Sequence, residues 1–146
     1  MKPKMMKKNR KNEQKSIFSK SEEKFLLENE VCRISTSHND VPHIAPVTYI
    51  YQKNFLFFAT DYETQKYRNL KVNNRIAAAI DIYNSSVDNK AVIVRGTANI
   101  IEKGREFRDL YRRFHRKFEW VRKDPWNEGE APFIKIKTIN KISWGL

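Results

Sequence analysis

Between Val31 and Thr60 three apolar runs, "VCRISTS", "HIAPVTYIY" and "FLFFAT", follow one another with only "HNDVP" and "QKN" between them. Connections this short join antiparallel neighbours, because a parallel pair needs a crossover of about a dozen residues. Asn, Asp and Pro suit the first turn: Asn and Asp tolerate left-handed backbone, and Pro presets its own φ. Further along, the loop "YNSSVDN" separates "RIAAAIDI" from "KAVIVRGTANII", and "FIKIKTINKISWGL" closes the chain with one or two strands. Helices are inserted among these strands and do not alternate with them as βαβ units. The pattern predicts a mainly β chain with helices, folded as a closed or nearly closed antiparallel barrel.

Three helices are predicted. Ser19 and Glu22 stand three apart ahead of "KFLLENE" and form a capping box for a helix ending near Glu30. A second runs from Thr64 to about Asn73, and the longest covers residues 103–118. The last has Phe107, Leu110, Tyr111, Phe114 and Phe118 at spacings of three and four, with Arg105, Arg108, Arg112, Arg113, Arg116 and Lys117 on its other face. The stretch "EWVRKDPWNEGEAP" reads as loop. Among the strands, "HIAPVTYIY" has apolar residues on both faces and is expected to be buried on both. Gly96, inside a strand that otherwise alternates cleanly, marks a bulge or a close backbone approach. Ala77 and Ala79 make one face of their strand small.

The 146 residues suffice for about one domain with a core of its own. Net charge is +12, but residues 1–20 hold eight Lys or Arg against one acid, which leaves 21 against 16 for the remainder. The chain thus divides into a basic, mobile tail over 1–18 and a domain over 19–146. The tail lacks the apolar stretch of a secretory signal, and no run approaches the ~20 apolar residues that span a bilayer. One cysteine, Cys32, permits no internal disulfide. A cytoplasmic location is expected, with no membrane partner. A basic arm can bind nucleic acid without sequence preference, but no recognised reading module follows it, so no nucleic-acid partner is expected.

Residues for protein-based catalysis are scarce. The three histidines lack metal-site spacing and neighbours, and no metal is expected. Cys32 sits on an apolar strand as a small core residue. No nucleophile elbow, zinc-protease motif, Walker loop or dinucleotide fingerprint is present. If the chain is an enzyme, a bound cofactor carries the chemistry, and its catalytic side chains are unknown. One junction stands out. Thr60 ends a strand, Thr64 opens a helix and Lys66 lies in the first turn. Unpaired N–H groups and the positive end of the dipole make a helix N-terminus suited to phosphate, and both hydroxyls can face one anion. The same residues also fit a plain N-cap with an exposed lysine, and this stretch alone does not choose. Nearby, Ala45, Val47 and Thr48 offer small side chains and backbone groups for a flat ring; they equally suit an ordinary barrel core.

An ordered series of motifs now adds to this reading. Arg-x-Ser-Thr begins at Arg33, and a Pro-Val strand follows at Pro46. Thr-x-x-x-Thr-x-Lys-x-x-Asn-Leu starts at Thr60, Arg-Gly-x-Ala at Arg95, and the chain closes "ISWGL". Over about residues 20–146 this series resembles the flavin-binding split-barrel family typified by pyridoxamine 5′-phosphate oxidase. The resemblance implies an FMN-binding, Greek-key-like split barrel and a homodimer with cofactor at the subunit interface. It implies that Thr60, Thr64 and Lys66 hold the cofactor phosphate and that Pro46, Val47 and Thr48 meet the polar edge of the ring. Asn69 matches the helix position after the phosphate-binding lysine, and Trp144 or Trp126 would reach the ring from the partner chain. Some members use the deazaflavin coenzyme instead, and a few bind haem.

Two departures narrow the expectation. In the oxidase an arginine directly precedes the phosphate-binding lysine; here it is Gln65. The C-terminal Arg-x-His element that grips pyridoxamine phosphate is absent. The chain is therefore expected not to oxidise pyridoxamine phosphate but to be a flavin-dependent oxidoreductase acting on another small acceptor. A deazaflavin-using reductase is the alternative, its anionic coenzyme tail running along Arg108, Arg112 and Arg116, although a solvated basic face accounts for those arginines too. A non-catalytic flavin- or haem-binding protein is a further alternative.

Overall fold

The computed structural model describes residues 15–146 and orders them into eleven elements. These are α1 (Lys20–Glu28), β1 (Val31–His38), β2 (Val41–Thr48), β3 (Ile50–Gln52), β4 (Phe55–Ala59), α2 (Gln65–Val72), β5 (Arg75–Ile82), β6 (Lys90–Ile101), α3 (Arg105–Lys117), α4 (Glu119–Lys123) and β7 (Phe133–Trp144). The first fourteen residues of the expected basic tail lie outside the described residues. Phe18, placed on the tail side of the expected boundary, is buried in the core and meets the Tyr51 ring edge-on.

The predicted hairpins form as two-residue turns. Asn39–Asp40 joins β1 to β2, and Lys53–Asn54 joins β3 to β4. All four residues have positive φ, at 50°, 62°, 30° and 71°. Such paired positive values are those of the primed turns whose twist matches a hairpin. At α1 the capping box forms in both directions: the Glu22 N–H donates to the Ser19 hydroxyl, and the Ser19 N–H donates to the Glu22 carboxylate at 2.7 Å.

All pairings are antiparallel within one seven-stranded sheet of order β2-β1-β5-β6-β7-β4-β3. Its two outer strands, β2 and β3, are separated in the chain only by Tyr49. One residue cannot cross a flat seven-stranded sheet, so the sheet curls until its ends approach. Among the described residues no ladder joins β2 to β3. The result is a curled half-barrel of antiparallel strands. Tyr49 fastens this corner, fully buried, its hydroxyl donating to the Leu26 carbonyl at 2.7 Å.

Two cores result. Inside the curl lie Leu26, Ile34, Leu56, Phe58, Ile80 and Ile136. Under α3 lie Phe57, Phe107, Leu110, Phe114, Phe118 and Phe133, which puts the predicted apolar face of α3 inward. Gly96 is both a close approach and a neighbour of a bulge. A Cβ there would fall on the Lys137 carbonyl oxygen, and the register jumps so that Ile139 of β7 has no partner.

Two expectations are corrected. "HIAPVTYIY" is not one strand buried on both faces: it divides at Tyr49, and β2 is an outer strand with Val41 and Ile44 about two-thirds exposed, at 65% and 67%. Double-sided burial needs neighbours on both sides, and β2 has one. "EWVRK" is not loop but α4, whose Val121 is fully buried in the second core.

Candidate functional site

The site is built where β4 gives way to α2. Thr60 lies just past the β4–β7 ladder, where its N–H donates to the Pro132 carbonyl at 3.2 Å. The chain turns through Asp61, whose carbonyl accepts from the Thr64 N–H at 3.3 Å and from the Thr64 hydroxyl at 3.0 Å. Thr64 then caps α2 with extended backbone, its Oγ1 accepting from the Tyr67 N–H at 3.3 Å. Thr60 Oγ1 and Thr64 Oγ1 are 2.9 Å apart. Thr64 spends its one hydroxyl proton on Asp61, so Thr60 is the donor between the two. The two hydroxyls are therefore in contact at the start of α2.

Lys66 occupies that turn and is half-buried. Burial lowers its pKa from the ordinary 10.5, and the Asp61 carboxylate offsets part of this. An ammonium with this surrounding, at the positive end of a helix dipole, gains from an anion within reach. The first-turn N–H groups of Gln65 and Lys66 have no intrahelical acceptor. Two amides and an ammonium are donors of the right sign for a phosphate, while the Thr60 and Thr64 hydroxyl protons are given to Thr64 and Asp61 in this arrangement.

Asn69 follows Lys66 by about one turn of α2. Only 2% exposed, it donates to Thr36 Oγ1 at 3.0 Å and accepts from Gln65 Nε2 at 2.8 Å, which ties α2 to β1. Pro46, Val47 and Thr48 line up at the end of β2, on the outer side of the sheet order, where one edge of the backbone has no neighbouring strand. Val47 packs against the inner core. Thr48 Oγ1 accepts from the Trp120 indole at 3.1 Å.

That bond shows what the sequence reading missed. Trp120, on α4, stacks on Trp126 with ring planes 5° apart and centroids 5.8 Å apart. The two indoles, with Thr60, Asp61, Asp124 and Glu130, line a cavity of about 360 Å³. Trp120 thereby links Thr48 to Thr60, so the end of β2, the start of α2 and both tryptophans share one end of the half-barrel. Reading 119–123 as loop concealed Trp120; Phe118 and Val121, three apart, were the available helical signal. Trp144 is not in this group. It sits at the opposite end of β7 from Phe133, the partner of Ala59, and its indole donates to the Tyr83 hydroxyl at 2.7 Å. Cys32 is fully buried and its thiol is pushed up to about 12 by burial, an inert core group.

The site can hold an anion and present backbone donors and aromatic faces. It contains no paired acid and base. The family model described as pyridoxamine 5′-phosphate oxidase matches residues 18–139. No curated protein matches the sequence. Solved structures share the fold at low identity. An FAD-binding protein from Mesorhizobium loti is 19% identical with a TM-score of 0.69, over 86% of this chain and 93% of that one. The FAD-binding protein from Mycobacterium smegmatis is 20% identical with a TM-score of 0.61, over 88% and 96%. A protein described as an F420 reductase is 19% identical with a TM-score of 0.63, over 86% and 98%.

Proposed function

The chain belongs to the pyridoxamine 5′-phosphate oxidase family of flavin-binding split barrels, and on that premise we propose that it binds FMN and acts as a flavin-dependent oxidoreductase. The observation that carries this reading is the contact between Thr60 and Thr64 at the start of α2, with half-buried Lys66 in the first turn. These residues, with the first-turn amides, hold the cofactor phosphate. The free backbone edge at Pro46, Val47 and Thr48 faces the polar edge of the ring. Bound FMN supplies hydride and electron transfer. The protein's own part is placement, with backbone dipoles stabilising negative charge on the reduced ring. Asn69 acts through the position of α2, since both ends of its amide are engaged.

The acceptor is a small molecule other than pyridoxamine phosphate. Gln65 stands where the oxidase has an arginine, and its amide is held by Asn69 and Arg68. We further propose a homodimer with the cofactor at its interface. The outer face of β1, β5, β6 and β7 is small or apolar at Ala77, Ala79, Ile93 and Ile142, and Ile142 is 57% exposed. A second copy covering that face can bring its Trp144 to the ring, which a single chain cannot do. The domain assigned to 19–146 would work in the cytoplasm. No described helix is long and apolar enough to cross a membrane.

A second reading, a reductase using the deazaflavin coenzyme, is favoured by the fold shared with the F420 reductase. The arginines offered for its tail support it less, because Arg108 already pairs with Glu128 and Arg112 with Asp109. The absorption spectrum of the purified protein, with the mass of what heat releases, separates these readings. Twin flavin bands and the mass of FMN are expected; a single deazaflavin band replaces FMN by the alternative. A colourless protein that takes up neither cofactor reduces Thr60, Thr64 and Lys66 to a helix cap and its neighbour. Turnover with a reduced nicotinamide separates an enzyme from a flavin- or haem-binding protein that only stores or senses.

A further inference from the structure

Positive charge is not spread evenly over the domain. Residues 103–123, which include α3 and α4, hold nine Lys or Arg against three acids. The remainder of 21–146 holds twelve against thirteen and is close to neutral. Helical spacing sorts the cations of α3. Phe107, Leu110 and Phe114 are buried against Ile50 of β3 and Phe57 of β4. Arg105, Arg108, Arg112 and Arg116, at intervals of three and four, lie on the opposite side and form one exposed row. The row is about 16 Å long, and Arg113 and Lys117 flank it. Arg108 and Arg112 are held only in exposed pairs, which are weak. Among the described residues Arg105, Arg113, Arg116 and Lys117 enter no ion pair.

The start of the chain adds to this face. The Ile17 N–H donates to Asn54 Oδ1 at 2.8 Å, and Asn54 Nδ2 donates to the Lys15 carbonyl at 3.4 Å. Asn54 shares its turn with Lys53, and Gln52 just before them lines a cavity with Arg105 and Arg113. Residues 1–14, with six Lys or Arg and one Glu, are thus joined to the domain beside the basic face of α3. The apolar face proposed for a second copy runs over β1, β5, β6 and the Ile142 end of β7. α3 covers β3 and β4, at the other end of the strand order of a curled sheet, and its row points away from that sheet. A dimer built on the apolar face leaves the row open.

We infer that the outward face of α3 is a docking surface for duplex DNA, held through its phosphates and without sequence readout. The sequence offers no reading module, but phosphate contact needs none. Arginine, which supplies six of the nine cations, forks onto phosphate oxygens and keeps its charge. Duplex DNA carries one negative charge per about 1.7 Å of axis, so a row of cations releases many counterions. A single strand is held largely by aromatic faces on which its bases stack, and Phe107 and Phe114 are turned inward. A membrane takes a helix by its apolar face, and here that face is inside the second core. The major groove of B-form DNA admits a helix, whereas the deep, narrow groove of A-form RNA does not.

The test is fluorescence anisotropy of a labelled DNA duplex of about 20 base pairs, titrated with the full chain between about 50 and 200 mM salt. One variant combines Arg105→Gln, Arg113→Gln and Arg116→Gln. A second loses the same charge elsewhere, through Lys24→Gln, Lys71→Gln and Lys90→Gln. All six residues are exposed, so both variants should fold, which far-UV circular dichroism verifies. Affinity of the wild type should fall steeply with salt. The arginine variant should bind about a hundredfold more weakly near 0.1 M salt, with a logarithmic salt slope shallower by about three. The lysine variant should stay within about fivefold of the wild type. The inference is overturned if the wild type shows no saturable binding, if the arginine variant binds as the wild type does, or if the two variants lose affinity alike. Equal or tighter binding of single-stranded DNA, duplex RNA or phosphatidylserine vesicles overturns it as well.

Discussion

Replacing Lys66 by alanine should move cofactor affinity and protein stability in opposite directions. Lys66 stands in the first turn of α2, where its ammonium opposes the helix dipole and is half-buried, with its pKa lowered by that burial. A cation so placed costs the unliganded fold about 0.3–1 kcal/mol through the dipole. Lys66→Ala should therefore leave the cofactor-free protein as stable as before or slightly more so in urea. With the phosphate bound, the sign reverses. A charge-assisted contact contributes about 1.5–3 kcal/mol, so the variant should bind FMN about 10- to 150-fold more weakly in a fluorescence titration of the cofactor-free protein. The pH dependence follows the same logic. The folded value lies below 10.5, so the unfolded chain keeps its proton longer, and the stability of the cofactor-free protein rises as pH climbs between the two. A bound phosphate dianion opposes this trend. Unchanged FMN affinity in a folded Lys66→Ala variant would refute the phosphate assignment, and a marked loss of stability would refute the account of the lysine's strain.

Other perturbations probe the frame around the site. Burial pushes the Glu22 carboxyl up, but bonds from Lys141, Ser143 and Ser19 outweigh it and hold the group at about 2. The resulting stabilisation, about 3 kcal/mol, is present above pH 4.5 and is lost as pH falls towards 2. Urea unfolding of Glu22→Gln should show a deficit at pH 7 that closes near pH 2, and a deficit that persists there would exclude the ionic origin. Gly96→Ala should destabilise by about 3 kcal/mol or more, because the methyl group meets backbone and not a movable side chain; a melting temperature within a degree of the wild type would contradict that. Ala79→Glu places a bulky charge on the outer face, beside Ile93 and next to the Arg33–Asp81 pair. Sedimentation should find the wild type dimeric and this variant monomeric, and a monomeric wild type ends the dimer proposal.

What was legible in the sequence is local. Both two-residue turns, the α1 capping box, the Thr64 cap and the apolar face of α3 are set by residues within four positions of one another, so spacing and turn chemistry specify them. The motif order from Arg33 to Ala98 was enough to indicate the family. The tertiary structure decided what depends on distant partners. Ile44 looked buried because its neighbours in sequence are apolar, yet it is exposed because β2 has only one strand beside it. The amide of Asn69 is held by Thr36, thirty-three positions away, a pairing that its place after Lys66 does not encode. Trp120 joined the site because α4 brings its indole to Thr48 across 72 residues. No local period encodes such pairings. They follow from a seven-stranded sheet whose outer strands are one residue apart in the chain, and which must curl to satisfy that connection.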